Sequence, residues 1–140
     1  MDKYTQIRPI VLGIVRRGNK VLVQRGYDKV KKETFYRFLG GGIEFQERSD
    51  EALKREFKEE LGIDIKVGNY LGLKENIFVS NGKKAHELVL IYNAEIFEKD
   101  YKEEYHIVDD GVEVDALWVD IDKFKKKEFI LYPENIVDYL

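Results

Sequence analysis

Apolar and β-branched residues run from Ile7 to Val15, pause at Arg17-Gly18-Asn19, and resume from Lys20 to Gln24. Two such runs about a glycine-containing turn predict a pair of strands in a hairpin. Gly26 to Thr34 is polar and predicts a loop, and Phe35 to Leu39 predicts a short strand entering Gly40-Gly41-Gly42. The period then changes. Leu53, Phe57 and Leu61 recur at every fourth residue, which predicts a helix over Ser49 to Leu61 with a narrow buried stripe. Ser49 is the candidate N-cap, Asp50 and Glu51 suit the positive end of the dipole, and Gly62 suits the terminus.

Beyond the helix, strands are expected around Ile63 to Val67 and Tyr70 to Leu73. Asn76 to Val79 and Glu87 to Phe97 flank Asn81-Gly82, a turn signal that Lys83-Lys84 suggests extending beyond two residues. Asp100 to Val112 reads as a charged loop with turn chemistry at Asp109-Asp110-Gly111, Ala116 to Val119 as a strand, and the segment after Pro133 as a closing helix. Strands around one strong helix define a mixed α/β (α+β) fold, expected as one domain over residues 1–140.

A hydrophobic fraction of 44% supplies a core, which excludes global disorder. The formal net charge of −3 argues against a nucleic-acid polymer as partner, although a metal ion can supply local positive charge for a phosphorylated small molecule. The absence of cysteine excludes disulfides, thiolate catalysis and a cysteine zinc site, and leaves His86 and His106 as the imidazoles. No apolar run resembles a signal peptide or approaches the roughly 20 residues of a membrane span, so a soluble cytoplasmic protein is expected.

The chemistry concentrates on the helix. Glu56, Glu59 and Glu60 stand at i, i+3 and i+4, on an arc of roughly 100° beside the Leu53–Phe57–Leu61 stripe. Like charges at that spacing repel, and more strongly where the core shields them from water. A solvated acidic face is the ordinary reading of such a run. A hard divalent cation is the alternative, since Mg2+ prefers carboxylate oxygens and keeps waters for chemistry. The preceding glycines offer backbone that a ligand can approach without a Cβ in the way.

The stretch from Gly41 to Ile63 resembles the Nudix hydrolase box, G-x5-E-x7-R-E-U-x-E-E-x-G-U, with U a bulky apolar residue. Gly41, Glu47, Arg55, Glu56, Phe57, Glu59, Glu60, Gly62 and Ile63 occupy its nine positions with every spacing kept. Phe57 departs from the usual aliphatic residue, and Leu39 and Gln46 stand where many members have proline and glycine. The resemblance implies an α/β/α sandwich with a mixed sheet. It implies a Mg2+ site, with Mn2+ as substitute, made by Glu56, Glu59, Glu60 and the Gly41 carbonyl, with Glu47 joining through water or holding the loop. Arg55 would orient these acids. The general base stays open among Glu59, Glu56 and a downstream glutamate, for which Glu87 is the candidate.

Other residues carry weaker signals. Arg25 ends the second strand and is a candidate for substrate phosphate or for a surface ion pair. Gly40 and Gly41 are candidates for backbone contact with substrate. His86 fits a hydrogen-bonding neighbour better than a ligand. Tyr36, Phe45, Phe78 and Tyr132 are candidates to stack on a base, against the commoner core or surface role. The basic run from Lys123 to Lys127 fits a solvated face.

The implied activity is hydrolysis of a diphosphate linkage in a nucleoside diphosphate linked to X. The alternative is a related module that senses a nucleotide without cleaving it. Phe78-Val79-Ser80-Asn81 carries neither the proline nor the tyrosine that marks particular subgroups downstream of the box. Elimination leans toward nucleoside triphosphates, damaged ones included. A homodimer is left open.

Overall fold

A computed structural model describes residues 6–109 and 111–140, so Asp110 of the expected turn lies outside the described residues. Strand β1 (Ile7–Arg17) buries both faces: Ile10, Leu12 and Ile14 join one core cluster, Val11 and Val15 the other. That two-residue alternation is the period of a strand covered on both sides. Strands β2 (Lys20–Asp28), β3 (Glu33–Gly42), β4 (Ile65–Ser80), β5 (Lys83–Ile96), β6 (Glu104–Asp109) and β7 (Val112–Asp120) extend the sheet in the order β4-β5-β1-β3-β2-β7-β6. The short β8 (Leu131–Tyr132) adds to β3. β1 runs parallel to β5, and the other main-path pairings are antiparallel, giving a mixed sheet.

Helix α1 (Ser49–Leu61) covers one face through Ala52, Leu53 and Phe57. Helix α2 (Ile121–Lys125) and a 3-10 turn at Ile136–Tyr139 cover the other through Phe124 and Ile136. The result is the expected mixed α/β fold with helices on both faces. No helix among the described residues is long and apolar enough to cross a membrane.

The course of β3 positions the site. Its first part pairs with β2, from Asp28↔Glu33 to Val23↔Phe38, and its last part pairs with β1, from Gly13↔Leu39 to Ile10↔Gly42. The strand therefore crosses from one half of the sheet to the other just before the glycines. Gly40 makes this crossing with φ +153°, where a Cβ would lie 1.9 Å from the Val11 carbonyl oxygen. No other residue fits there.

Several expectations need correction. The polar Gly26 to Thr34 segment is mostly strand, because Asp28 accepts hydrogen bonds from the Val30 and Lys31 amides and closes a turn at residues 29–32. The charged segment from Asp100 to Val112 contains β6, in which Tyr105 and Ile107 are buried between exposed neighbours. Its period of two was masked by the surrounding charges. The strands expected from Tyr70 to Val79 merge with the one before into β4, irregular between Val67 and Gly72. The loop after β4 is the two residues Asn81-Gly82, both at positive φ, which suits a hairpin turn. Ser49 does not cap α1: the N-cap is Arg48, and the Ser49 hydroxyl shares a 2.6 Å hydrogen bond with Tyr92. After Pro133 the chain forms only the 3-10 turn, while α2, capped by Asp120, had no signal beyond the basic run.

Candidate active site

Gly62 ends α1 at φ +70°, as expected, and Leu53 and Phe57 seat the helix against the sheet while Leu61 is partly buried. That seating presses the acidic face onto the end of β3. A Cβ on Gly41 would lie 2.4 Å from the Glu56 carboxyl carbon, so this carboxylate rests on bare backbone. Gly42 offers its carbonyl oxygen to Arg55 Nη2 at 2.8 Å.

Arg55 organises the acids. Its Nε and Nη2 donate to the two oxygens of Glu47 at 2.8 and 2.9 Å, a forked ion pair. Its Nη1 donates to Glu56 at 3.0 Å and to Glu59 at 3.3 Å. Glu44 approaches the same nitrogen at 3.7 Å and gives its amide hydrogen to Glu47. The Arg55 bond, joined by the Glu44 amide, lowers the Glu47 carboxyl to about 2. Glu56 moves the other way: burial raises it against the pull of Arg55, with the neighbouring Glu59 charge adding to the rise.

Glu60 stands one turn beyond Glu56 on the same face of α1, and its Oε2 is buried. Two carboxyl groups set one turn apart beside the core repel when both are charged, and a cation relieves that repulsion. Among the described residues no three acids or imidazoles already converge as a ready ligand set. The oxygen-only donors, the Gly41 cradle under Glu56 and the buried Glu60 carboxyl oxygen nevertheless fit a hard divalent cation. Glu59, its side chain 58% exposed, stands open to solvent beside them.

A cavity of about 360 Å³ opens between β3, β4 and β8, lined among others by Phe35, Arg37, Asn76, Phe78, Ser80 and Tyr132. Of the four aromatic candidates, Phe78 and Tyr132 line it. Tyr36 is buried and stacks on Phe129, and Phe45 is 95% exposed. Phe35, which meets Tyr132 at 5.5 Å between ring centroids, was not anticipated. Its ring lies where a Cβ on Gly26 would be, 2.5 Å away.

Glu87 is buried, with its partners Arg37 at 2.7 Å and Arg8 at 3.8 Å. His86 adjoins them in a smaller cavity. The structure thus brings Gly41, Glu47, Arg55, Glu56 and Glu59 together, with Gly40 and Glu60 beside them along the chain, and sets Glu87 beside a neighbouring cavity. Arg25 joins neither, being paired with Asp115 at 3.2 Å on the surface. Arg37 and Arg8 escaped notice in the sequence. For Arg37 the available signal was a charged residue alternating with Tyr36 and Phe38 in a strand that enters the glycines.

The sandwich, the glycine cradle and the arginine-held glutamates stand as the Nudix resemblance implied. The NUDIX domain family model matches residues 6–140, and the chain belongs to that family of hydrolases. It is 36% identical over 62 residues to the CTP pyrophosphohydrolase of Escherichia coli, which is 44% of this chain and 46% of that protein. The match spans about half the length of that curated relative. The fold is shared with a MutT NUDIX hydrolase from Burkholderia pseudomallei, at TM-score 0.63, 24% identity, and 84% and 85% of the two chains. It is shared also with a MutT protein from Methanosarcina mazei, at TM-score 0.66, 17% identity, and 95% and 89%.

Proposed function

We propose that this chain is a Mg2+-dependent pyrophosphohydrolase that cleaves a nucleoside triphosphate to the monophosphate and pyrophosphate. The observation that carries it is the Glu56 carboxylate seated on Gly41 and tied by Arg55 to Glu47 and Glu59. All the box acids are present, which favours turnover over a sensing role. The relative named for CTP, together with a cavity lined by Phe35, Phe78 and Tyr132, supports a nucleotide as the substrate.

Glu56, Glu59, Glu60 and the Gly41 carbonyl would hold the cation, Mg2+ or in its place Mn2+. A divalent cation there supplies charge neutralisation on the phosphates and acidifies water. Glu59 is our choice of general base, since it is exposed and Arg55 fixes its carboxylate at 3.3 Å. It takes the proton as the water oxygen attacks phosphorus and pyrophosphate departs. Glu47 is bound on both oxygens by Arg55, so its part is to hold the loop and the arginine. Substrate contact passes from Arg25 to Arg37, which lines the cavity. The cytoplasm is the compartment that suits this chemistry.

The test is product analysis across nucleoside triphosphates and diphosphate-linked nucleotides, with Mg2+ and with EDTA. Pyrophosphate and a monophosphate formed only with metal support the assignment. Metal-dependent cleavage of diphosphate-linked compounds alone would move the substrate class. No turnover on the panel would overturn it.

A further inference from the structure

We propose that Glu87 is a positioning residue that holds Arg37 and Arg8 together as a phosphate-binding gate between the aromatic cavity and the glutamate helix. The proposal rests on the hydrolytic function above and assigns Glu87 a part other than general base. The sheet builds the arrangement. Glu87 on β5 is the direct register partner of Arg8 on β1 and of Asn76 on β4, so three adjacent strands set these residues in one row. Arg37 enters from β3, in the part of that strand that still pairs with β2 before it crosses to β1. Its Nη2 donates to Glu87 Oε1 at 2.7 Å, and Asn76 Nδ2 reaches the same oxygen at 3.5 Å. Arg8 lies 3.8 Å from Oε2.

A carboxyl group as buried as Glu87, 4% exposed, calls for hydrogen-bonding partners of this kind. The two arginines are not buried to the same degree: their side chains are 36% and 23% exposed. They hold more donors than one carboxylate can use. Two cations and one anion leave net positive charge facing a cavity of about 130 Å³ that they share with His86 and Ser80. Arg37, Phe78 and Ser80 line both this cavity and the larger aromatic one. On the other side, Arg8 Nη2 would lie 3.3 Å from a Cβ on Gly42, whose carbonyl is held by Arg55. The order along the cleft is therefore aromatic cavity, Arg37, Arg8, Gly42, Arg55. A nucleotide with its base in the aromatic cavity would lay its phosphates beside the arginine pair on the side toward Gly42 and Arg55. Guanidinium forks suit phosphate when their orientation is fixed, and a buried carboxylate fixes it.

The test is a double-variant cycle on the full chain, using binding of inorganic tripolyphosphate in Mg2+ by calorimetry. It is read beside kcat and KM for a nucleoside triphosphate. Arg37→Gln is expected to weaken binding about tenfold, and Glu87→Gln to weaken it by about threefold or more. In the Glu87→Gln background, loss of Arg37 should cost less than in wild type, because an unheld fork contributes less. Glu87→Gln should raise KM more than it lowers kcat. If Glu87 only screens the arginines, its removal would tighten tripolyphosphate binding and enlarge the Arg37 effect, and the proposal falls. A loss of about 100-fold or more in kcat at unchanged KM would make Glu87 the base and overturn it as well. Arg37→Lys keeps the charge without the fork and covers the case in which Arg37→Gln fails to fold; wild-type affinity in that variant would again contradict the proposal. Absence of wild-type turnover would sink the hydrolytic function, while the tripolyphosphate cycle would still decide this one.

Discussion

Arg55 grips both oxygens of Glu47, with Nε and Nη2 at 2.8 and 2.9 Å, and spends its remaining donors on Glu56, Glu59 and the Gly42 carbonyl. One guanidinium is thus the common counter-charge for three box glutamates, and it ties the helix to the glycine loop.

Arg55→Ala should leave those acids repelling one another and the Gly42 carbonyl without its donor. With the arginine side chain 24% exposed, the expected loss of stability is roughly 2–3 kcal/mol, below the range for a fully buried pair. Arg55→Lys should recover part of that stability and little of the activity, because an ammonium cannot reproduce the fork. Denaturant melts and steady-state rates on the two variants decide this. Equal activity in Lys and Arg forms would show that charge alone suffices.

Gly41→Ala separates folding from function. The atoms nearest the added methyl belong to the far end of the flexible Glu56 side chain, so the melting temperature should change little. The carboxylate must then leave its seat, and turnover should fall by about 100-fold or more. Gly40→Ala is the contrast, since its methyl would strike the Val11 carbonyl and the protein should fail to fold. Circular dichroism and activity of both variants give the comparison.

Crowded carboxylates imply strain in the metal-free protein. Glu60→Gln should melt in EDTA at or above the wild-type temperature, because Glu56 and Glu60 stand four residues apart on one helix face and one acidic group of the pair is removed, an effect of a few tenths of a kcal/mol. Added Mg2+ should raise the wild-type melting temperature and raise the variant's less. A lower melting temperature for the variant in EDTA would contradict the claim of repulsion.

The acid limb of stability should report Asp28. Its carboxyl is held below the ordinary 3.8 by hydrogen bonds from the Lys31 and Asn81 amides, joined by that of Val30. The Asn81 side chain answers by accepting from the Lys29 amide, which ties the β2–β3 turn to the β4–β5 turn. A carboxyl depressed in the folded state contributes stability that is fully present above the unfolded value and is lost as pH falls through the folded one. Asp28→Asn should therefore be less stable at neutral pH and lose less below about pH 4. Parallel pH–stability curves for the two proteins would count against this.

What could be read in the sequence was whatever depends on local spacing. The box acids, Arg55 and Gly62 are set by one helix and the glycines before it, so their grouping followed from residue intervals. The clustering of Arg8 and Arg37 on Glu87 was hidden because it depends on the parallel pairing of β1 with β5 and on the crossing of β3, which no local pattern reveals. Arg25 looked equivalent to Arg37 by residue type, and only the sheet register separates a surface pair with Asp115 from a cavity wall. β6 was missed because Tyr105 and Ile107 alternate within a run of charge.

The most direct test is the rate of nucleoside triphosphate hydrolysis at saturating substrate for wild type and Glu59→Gln, each in Mg2+ and in EDTA. Wild type should turn over only with metal, and the variant should be slower by about 100-fold or more at an unchanged melting temperature. A variant that kept the wild-type rate in saturating Mg2+, or a wild type indifferent to EDTA, would contradict the assignment of the glutamate helix as the hydrolytic centre.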